Sequence, residues 1–394
     1  MNKFFLIVAF AFTTASSPYT AFAQIEQVGR DVTFDVATWN IEWFGSPSNG
    51  PSDDDRQVQN VRDIMLGSGI ELWAVQEIAN VGRFQELLTD LGPDWVGELA
   101  TFSGSLDVGY VWDTRVVRKR SIAHILESFS SDFAGRPPLK AEFEITLPDT
   151  TMIVTLINVH MKAFGDASSW ARRVSASNRV KNHIDFSTLA SASVIFLGDY
   201  NDELLQSTYA NETSPYENFL NDPANYLVTT LPLEINNQFT WIGSSNGSNL
   251  DHITISSELL SSYIPGSANI MGGLNSLIGF TAQTSDHLPV FASFGSSVVL
   301  DVDEPDIPVS FRIEGLYPNP ARHKTNISLS LPGRSDVVVE IYDVLGRSRK
   351  QYSFSLSAGA HVLSVELDNL PAGTYFARVT GEHGSAAIPF LIMR

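Results

Sequence analysis

The chain has 394 residues, no cysteine and a formal net charge of −19 at pH 7. The absence of cysteine excludes disulfide bonds and thiolate metal sites, and the length is sufficient for two or three domains. No lysine or arginine occurs from Asn182 to Ser310, so this region is expected to repel polyanions at long range. This weakens the case for a nucleic-acid substrate without excluding it, because divalent cations and a local arginine cluster can offset the charge.

The N-terminus has the pattern of a secretory signal. Lys3 precedes an apolar run, Phe4–Phe12, that is too short to span a bilayer. Ala21-Phe22-Ala23 has the small-x-small pattern of a cleavage site, which predicts a signal peptide over residues 1–23. A short membrane anchor is the alternative. No later stretch is long and apolar enough to span a membrane, so we expect a secreted or cell-surface protein with no transmembrane segment in the mature chain.

Short apolar runs, which predict strands, alternate with amphipathic segments, which predict helices. The predicted strands are Phe34–Trp39, Leu72–Val75, Val108–Val117 (one long strand or a pair), Thr151–Val159, Val194–Leu197, Leu250–Ile255 and Val290–Phe294, and the predicted helices lie around Val58–Met65, Phe84–Leu88 and Trp170–Leu189. The strands are short, and several neighbouring strands have no helix between them. We therefore predict an α+β domain of packed sheets over residues 24–295, and not a doubly wound parallel sheet.

Polar side chains recur where these predicted strands end. The clearest case follows Val194–Leu197, where Gly198 ends the run and Asp199 and Asn201 stand one residue apart. Taken alone, this is an ordinary Asp/Asn turn after a strand. The same pattern occurs at eight positions: Asn40, Glu77, His160, Asp199, Asn201, Asp251, Asp286 and His287. Eight such residues in one domain indicate a shared functional site.

Carboxylates, amides and histidines without cysteine favour a hard cation, Mg²⁺, Mn²⁺ or Ca²⁺. A zinc site is the alternative, but His160, His252 and His287 are not at helical ligand spacing. A hard cation on Glu77 suits hydrolysis of a phosphate ester. Arg136 precedes two prolines that hold its loop extended, and its charge would stabilise the phosphoryl oxygens. One histidine would accept a proton from water and the other would donate one to the leaving oxygen.

A carboxylate is expected to orient the imidazole of His287. Asp286 adjoins it in sequence, but adjacent residues on a strand point apart. We therefore expect a remote carboxylate to hold the ring, and Asp251 is the candidate.

Six motifs together resemble the endonuclease/exonuclease/phosphatase superfamily, which has the DNase I-like fold, over roughly Asp31 to Phe294. They occur in the family's order and are Trp39-Asn40, Gln76-Glu77, Asn158-Val159-His160, Gly198-Asp199-Tyr200-Asn201, Asp251 in Leu-Asp-His-Ile, and Ser285-Asp286-His287-Leu288-Pro289. The resemblance implies a four-layered α/β/β/α sandwich with its active site at one edge of two packed sheets.

The resemblance also implies roles for these residues. Mg²⁺ or Mn²⁺ would be held chiefly by Glu77, with Asn40 near metal and phosphate, and we add Asp286 to this metal group. His287 would be the general base, and His160 would bind phosphate or act as the general acid. Asp199 and Asn201 would position the phosphate and the nucleophile. Asp251 would support a histidine, and Arg136 would contact phosphate. A second carboxylate that lies beside the metal in some members has no clear match, so the number of metal ions stays open.

The C-terminal part of the chain differs in composition. Residues 296–309 are acidic and aperiodic, which predicts a linker. Residues 310–394 contain only strand and turn patterns, with strands predicted near 337–344, 361–367, 374–379 and 387–393, which favours a small β-sandwich. Leu316–Ala321, Val344–Arg347 and Pro371–Tyr375 resemble the C-terminal sorting domain of type IX secretion substrates in Bacteroidetes-like bacteria. The type IX secretion machinery is the partner that this resemblance implies. An adhesive or carbohydrate-binding sandwich is the alternative.

The sequence as a whole predicts a secreted, metal-dependent phosphodiesterase that cuts nucleic acid, with DNA favoured over RNA. The first alternative is a phosphatase or phospholipase-like enzyme acting on inositol phosphates or sphingomyelin, although no long apolar hairpin for membrane insertion is evident. The second is a non-catalytic cell-surface binding protein, against which the intact His160, Asp199 and His287 argue. Endo versus exo cutting and the native metal stay open.

Overall fold

The computed structural model describes residues 25–30, 32–100, 102, 106–244, 246–277, 279–295, 311–356 and 359–393. The chain folds as two compact units, one built from elements before residue 296 and the other from elements after residue 310. The predicted signal peptide and linker lie outside the described residues. Among the helices of the described part, none has the length and apolar character needed to cross a membrane.

The first unit contains both strands and helices, as predicted. Its strands are β1 (Phe34–Phe44), β2 (Leu72–Ile78), β3 (Trp95–Ala100), β4 (Asp107–Asp113), β5 (Val117–His124), β6 (Leu139–Thr146), β7 (Thr151–His160), β8 (Val194–Asp199), β9 (Tyr226–Val228), β10 (Asp251–Ser256), β11 (Asn269–Ile270) and β12 (Val290–Phe294). Its helices are α1 (Asp54–Ser68), α2 (Val81–Leu91), α3 (Ala167–Asp185), α4 (Glu217–Leu220), α5 (Leu231–Ile235) and α6 (Phe280–Gln283).

These strands form two six-stranded sheets. The first sheet has the order β11-β12-β1-β2-β4-β3, and the second has the order β5-β6-β7-β8-β10-β9. Strands β1 and β2 pair in parallel, as do β7 and β8, whereas the other neighbours pair antiparallel. This mixed pattern confirms the predicted α+β class and rules out a doubly wound parallel sheet.

The two sheets pack face to face with helices on their outer faces. Successive residues of a strand point to opposite faces, and β8 shows the consequence. Ile195 and Leu197 join the core that residues of both sheets share, whereas Val194 and Phe196 pack in a separate core with residues of α3. Helices α1 and α2 contribute buried residues to the core of the first sheet. This arrangement is the four-layered sandwich that the sequence predicts.

A buried amide pair joins the two sheets. Gln76 Nε2 of β2 donates to Asn158 Oδ1 of β7 at 2.8 Å, and Asn158 Nδ2 donates to the carbonyl of Gly109 at 2.9 Å. Both side chains are fully buried, so leaving one unpaired would cost about 1–3 kcal/mol. The pair therefore fixes the relative position of β2 and β7, which carry Glu77 and His160 just after Gln76 and Asn158.

The segment Val108–Val117, predicted as one long strand or a pair, covers parts of two strands. A turn after Asp113 divides the segment, since the Asp113 side chain accepts a bond from the amide of Arg115 at 2.9 Å. Strand β4 before the turn lies in the first sheet and β5 after it lies in the second. The polar residues Asp113, Thr114 and Arg115 mark this turn, but no local pattern indicates that the next strand joins the other sheet.

The second unit is a β-sandwich, as predicted. Its strands are β13 (Arg312–Tyr317), β14 (Lys324–Leu331), β15 (Ser335–Asp343), β16 (Ser348–Leu356), β17 (Gly359–Glu366), β18 (Gly373–Gly381) and β19 (Gly384–Ile392). A three-stranded sheet, β13-β14-β17, and a four-stranded sheet, β16-β15-β18-β19, share one core, which includes Ile327, Leu329, Val337 and Val379. Strands β13, β14 and β16 were missed by the sequence pattern.

Candidate active site

Three polar residues lie side by side at one edge of the second sheet. His160 ends β7, Asp199 ends β8 and Asp251 begins β10. Asp199 is the register partner of both His160 on the parallel strand and Asp251 on the antiparallel strand. Gly198 makes this alignment possible, since its φ is 141° and a Cβ there would meet the carbonyl of Val159 at 2.1 Å.

Asn40 of β1 connects the two sheets at this edge. Its Nδ2 donates to Glu77 Oε1 at 3.1 Å and to Asp199 Oδ2 at 3.0 Å. Its Oδ1 accepts from the amide of Glu42 at 3.0 Å, which fixes which end of the side chain faces the carboxylates. In this orientation Asn40 presents its amide nitrogen to the two carboxylates and holds them together. Its place in the metal group stays a prediction.

Glu77 stands at the end of β2 with its carboxylate in the cleft. Its Oε2 accepts from the amide of Trp43 at 3.0 Å. The backbone φ is 61° at Glu77, 33° at Glu42, 47° at Trp43 and 52° at Asn201. Positive φ is uncommon in residues other than glycine, and such strain clusters at functional sites. The strained backbone places these residues around one point.

His287 and Asp251 form the closest pair of titratable groups in the site. His287 Nδ1 lies 2.7 Å from Asp251 Oδ2, whereas its Nε2 lies 3.9 Å from Asp286 Oδ1. Burial alone lowers the pKa of His287, but the charge and hydrogen bond of Asp251, together with Asp199 and Asp286, raise this pKa well above its usual value. The remote carboxylate expected beside His287 is therefore in contact with it.

His160 is buried, and its Nε2 lies 3.5 Å from Glu77 Oε1 and 3.7 Å from Asp199 Oδ2. Its Nδ1 is a buried atom without a hydrogen-bond partner among the described residues. Burial, followed by the charges of Arg136 and His287, lowers the pKa of His160 well below its usual value. A neutral imidazole donates a hydrogen bond more readily than it releases a proton, which favours the phosphate-binding role over the general-acid role.

Asp199 and Asn201 lie in one hydrogen-bonded turn. The amide of Asn201 donates to Asp199 Oδ1 at 2.8 Å, and its Nδ2 donates to Asp199 Oδ2 at 2.9 Å. Burial raises the pKa of Asp199 to about 7, with a contribution from Asp251 in the same direction, while His287 and the bonds from Asn40 and Asn201 lower it. This carboxylate thus sits at the centre of the polar cluster.

Arg136 lies behind the site and does not line the cleft. Its Nε donates to the carbonyl of His160 at 3.3 Å, and a terminal nitrogen donates to the carbonyl of Met161 at 3.1 Å. Burial lowers its pKa, whereas Glu77 and Asp199 raise it. The structure therefore gives Arg136 a contact with the end of β7, and its contact with substrate phosphate stays a prediction.

Asp286 also lines the cleft, together with Glu42, a residue that sequence reasoning missed. Trp241 Nε1 donates to Asp286 Oδ2 at 2.8 Å, and the amide of Asp286 donates to Glu42 Oε2 at 2.9 Å. Burial, then the charge of Asp286, raises the pKa of Glu42 to about 7. The sequence pattern contained no signal for Glu42, because its φ of 33° breaks the regular alternation of side chains along β1.

The cleft itself has a volume of about 540 Å³. Glu77, His160, Asp199 and His287 line it together, so residues far apart in sequence share one cavity. Its walls also include Trp43 near the end of β1, and Phe164, Thr208 and Trp241, which lie outside the named strands and helices.

The residues of this site fit a hard divalent cation. Ligand atoms of Asp199, Asp251 and His287 all lie within 4.8 Å of one another, and Oδ1 of the buried Asp251 has no hydrogen-bond partner among the described residues. Glu77 brings a further carboxylate to the same cleft. A donor set rich in carboxylate oxygen suits Mg²⁺ or Mn²⁺.

His252 takes no part in this cluster, which weakens the zinc alternative. Its Nε2 lies 3.1 Å from the carbonyl of Asp202 and 3.0 Å from that of Asn249, and its Nδ1 lies 3.1 Å from Thr230 Oγ1. Burial lowers the pKa of His252 to about 4. This histidine is a neutral, fully bonded part of the core.

Comparisons with known proteins agree with the folds described for both units. Residues 315–393 match the family model described as the secretion system C-terminal sorting domain. A search of curated proteins gives no significant match. Among solved structures, D. rerio TDP2 humanized by 14 mutations has a TM-score of 0.50 at 15% identity, covering 67% of this chain and 99% of that one. The first unit has the DNase I-like fold.

Two further structures resemble this chain at lower scores. The endonuclease/exonuclease/phosphatase from Beutenbergia cavernae has a TM-score of 0.48 at 15% identity and covers 91% of this chain and 100% of its own. The 3′-5′ exonuclease from Neisseria meningitidis has a TM-score of 0.48 at 14% identity, with 66% and 100% covered. In the DNase I-like unit, the cleft lies at the edge of the two sheets where the sequence placed the site. The match of the second unit to a sorting domain indicates export of the chain.

Proposed function

We propose that the DNase I-like unit is a metal-dependent phosphodiesterase that hydrolyses nucleic acid, with DNA as the favoured substrate. The observation that carries this proposal is the convergence of Glu77, His160, Asp199 and the Asp251–His287 pair on one cleft. These residues come from the ends of strands in both sheets, and Asn40 bonds across the sheets to hold two of the carboxylates. The arrangement combines metal ligands, a polarised histidine and hydrogen-bond donors, which phosphate-ester hydrolysis requires.

Glu77 is proposed as the chief metal ligand, and Asp286 in the same cleft is proposed as a further ligand. When bound, a divalent cation would stabilise negative charge on the phosphoryl oxygens. Asn40 acts here as a positioning residue, because its amide group bonds to Glu77 and Asp199 and keeps these carboxylates from moving apart. The cluster of Asp199, Asp251 and His287 is the competing place for the cation.

His287 is the proposed general base. Asp251 accepts from Nδ1, which leaves Nε2 as the nitrogen that exchanges a proton with the attacking water. His160 and Asn201 are proposed to donate hydrogen bonds to the phosphate, and both line the cleft beside Asp199. Asp199 orients Asn201 through two hydrogen bonds. Arg136 is proposed to act indirectly, by holding the end of β7.

Residues 310–394 are proposed to direct the chain through the type IX secretion machinery, after export by a signal peptide over residues 1–23. The match of residues 315–393 to a sorting domain supports this route. The expected domains are the enzyme over residues 24–295, a linker over 296–309 and the sorting domain. The enzyme would then act at the cell surface or outside the cell, where it meets nucleic acid from the surroundings.

The test is cleavage of plasmid DNA by the purified full chain with Mg²⁺ or Mn²⁺, followed by addition of EDTA. We expect nicking or degradation that EDTA stops and that excess Mg²⁺ restores. Single-stranded RNA, inositol phosphates and sphingomyelin are assayed in parallel. Phosphate release from inositol phosphates without cleavage of DNA or RNA would indicate a phosphatase and not a nuclease. If the protein hydrolyses none of the four substrates, the proposal that it is an enzyme is wrong.

A further inference from the structure

A second feature of the cleft is the side chain of Phe164, which lies on the loop between β7 and α3. It lines the cleft and is 73% exposed. Its backbone φ is 83°, a value that a bulky residue rarely adopts. A large apolar side chain that is both exposed and strained is costly, and such outliers mark functional positions when the surrounding structure enforces them.

A buried ion pair enforces this loop conformation. Arg173 of α3 is fully buried, and its Nη1 donates to the carbonyls of Lys162 at 2.7 Å and Phe164 at 2.8 Å. Its Nε donates to Asp202 Oδ2 at 2.9 Å, and Asp202 is also fully buried. This arginine therefore points into the interior and not to solvent. The pair thus fixes the backbone on both sides of residue 163.

The same carboxylate fixes the neighbouring wall of the cleft. Asp202 Oδ1 accepts from the amide of Thr208 at 2.6 Å, and Oδ2 accepts from Ser207 Oγ at 2.7 Å. Gly165 packs so tightly that a Cβ there would lie 3.1 Å from the carbonyl of Thr208. One buried carboxylate therefore sets the relative position of two loops, and Phe164 is held at a defined place rather than on a freely moving loop.

A cation accompanies the aromatic ring. Lys162 Nζ lies 4.3 Å from the centre of the Phe164 ring, within the range of a cation–π contact. No lysine or arginine occurs from Asn182 to Ser310, so the segment that supplies Trp241, Asp286 and His287 to the cleft contributes none. An aromatic face beside an ammonium group is the combination that binds a nucleobase next to its phosphate.

We propose that Phe164 and Lys162 form a nucleotide subsite, in which the ring stacks on a base adjacent to the scissile phosphate and Lys162 contacts a neighbouring phosphate. The inference rests on the proposed phosphodiesterase function and names the feature by which the site selects a nucleic acid over other phosphodiesters. The subsite recognises single-stranded or locally unstacked nucleic acid, because a base stacked inside a duplex has no free face for the ring.

The experiment compares Phe164→Ala, Phe164→Trp and the wild-type full chain on two single-stranded DNA oligonucleotides. One oligonucleotide carries all its bases, and the other has tetrahydrofuran abasic residues on both sides of one scissile linkage. Phe186→Ala is the matched control, because Phe186 is 84% exposed at the end of α3 and does not line the cleft. Metal-dependent cleavage is followed as kcat/KM at that linkage.

We expect Phe164→Ala to lower kcat/KM on the base-containing strand about 5- to 100-fold, the effect of losing one stacked base. The same substitution should change cleavage of the abasic strand by less than about twofold, Phe164→Trp should keep the wild-type preference, and Phe186→Ala should match the wild type. Equal losses on both strands, or no loss on either, would overturn the subsite. If Phe164→Ala loses binding to anionic phospholipid vesicles while its DNA cleavage is unchanged, Phe164 contacts lipid and the nucleotide subsite is wrong. A wild-type chain that cleaves neither strand would instead contradict the proposed function.

Discussion

Asp251 Oδ2 lies 2.7 Å from Nδ1 of His287, although the two residues are 36 positions apart in the chain. Asp251 begins β10 and is fully buried. His287 lies just before β12, in the other sheet. The pair therefore depends on the packing of the two sheets, and it fixes both the ring orientation and the tautomer of the histidine.

Asp251→Asn should lower kcat for phosphodiester cleavage by about 10²-fold or more, because an amide nitrogen facing Nδ1 reverses the tautomer and removes the charge that stabilises the imidazolium. The pH profile should also change, because loss of the carboxylate lowers the pKa of His287. The rise of the rate on the acidic side of the profile, which reports deprotonation of the general base, should move to lower pH. Circular dichroism and tryptophan fluorescence serve as controls for folding. A loss of rate with an unmoved pH profile would reduce Asp251 to a structural residue.

Glu77→Gln should weaken binding of Mn²⁺ by at least about tenfold, because a neutral amide is a poorer ligand than a carboxylate. Binding is measured by titration calorimetry on the full chain, without substrate. His287→Ala is the comparison and should bind Mn²⁺ within about twofold of the wild type. The reverse outcome, in which His287→Ala loses the metal and Glu77→Gln keeps it, would place the cation in the cluster of Asp199, Asp251 and His287.

A buried carboxyl group far from the cleft predicts how stability depends on pH. Glu71 accepts from the amide of Asp35 at 2.8 Å, and burial raises its pKa from 4.5 to about 8. The folded protein keeps this proton up to about pH 8, whereas the unfolded chain loses it near pH 4.5. The free energy of unfolding contributed by Glu71 is therefore fully present below pH 4.5 and is lost as the pH rises to about 8.

Glu71→Gln should remove this loss. The free energy of unfolding of the variant should therefore rise relative to that of the wild type across this pH range, by ~1–4 kcal/mol in total, and the difference should then level off. Urea unfolding followed by tryptophan fluorescence reports the first unit alone, because all seven tryptophans lie between Trp39 and Trp241. Glu212→Gln, at an exposed position, is the control and should change the free energy of unfolding by no more than about 0.5 kcal/mol. If the difference in free energy of unfolding between Glu71→Gln and the wild type does not change with pH, the claim that Glu71 is buried in its protonated form is wrong.

The positions at strand ends were predictable because a short run of apolar residues indicates a strand from the local sequence alone. The apolar runs before His160 and Asp199 show where each strand stops, and residues at the ends of neighbouring strands must lie near each other. The Asp251–His287 contact was also expected, since the direction of side chains along a strand excluded Asp286 as the closer partner of Nδ1.

Other parts of the site depend on contacts that no local pattern reveals. Glu42 faces the cleft because the chain after Asn40 adopts positive φ, and Trp241 reaches Asp286 from a long loop. Arg173 of α3 is buried and pairs with Asp202, 29 residues later in the chain. Local spacing cannot indicate such a pairing, because the partner is defined only once the loops have packed.

The central claim is that His287 activates water for cleavage of a phosphodiester in this cleft. Single-turnover cleavage of labelled DNA by His287→Ala, at saturating Mn²⁺ and with folding verified by circular dichroism, tests it most directly. The expected rate is about 10²- to 10⁴-fold below that of the wild type. A folded His287→Ala variant that cleaves within about tenfold of the wild-type rate would contradict the account.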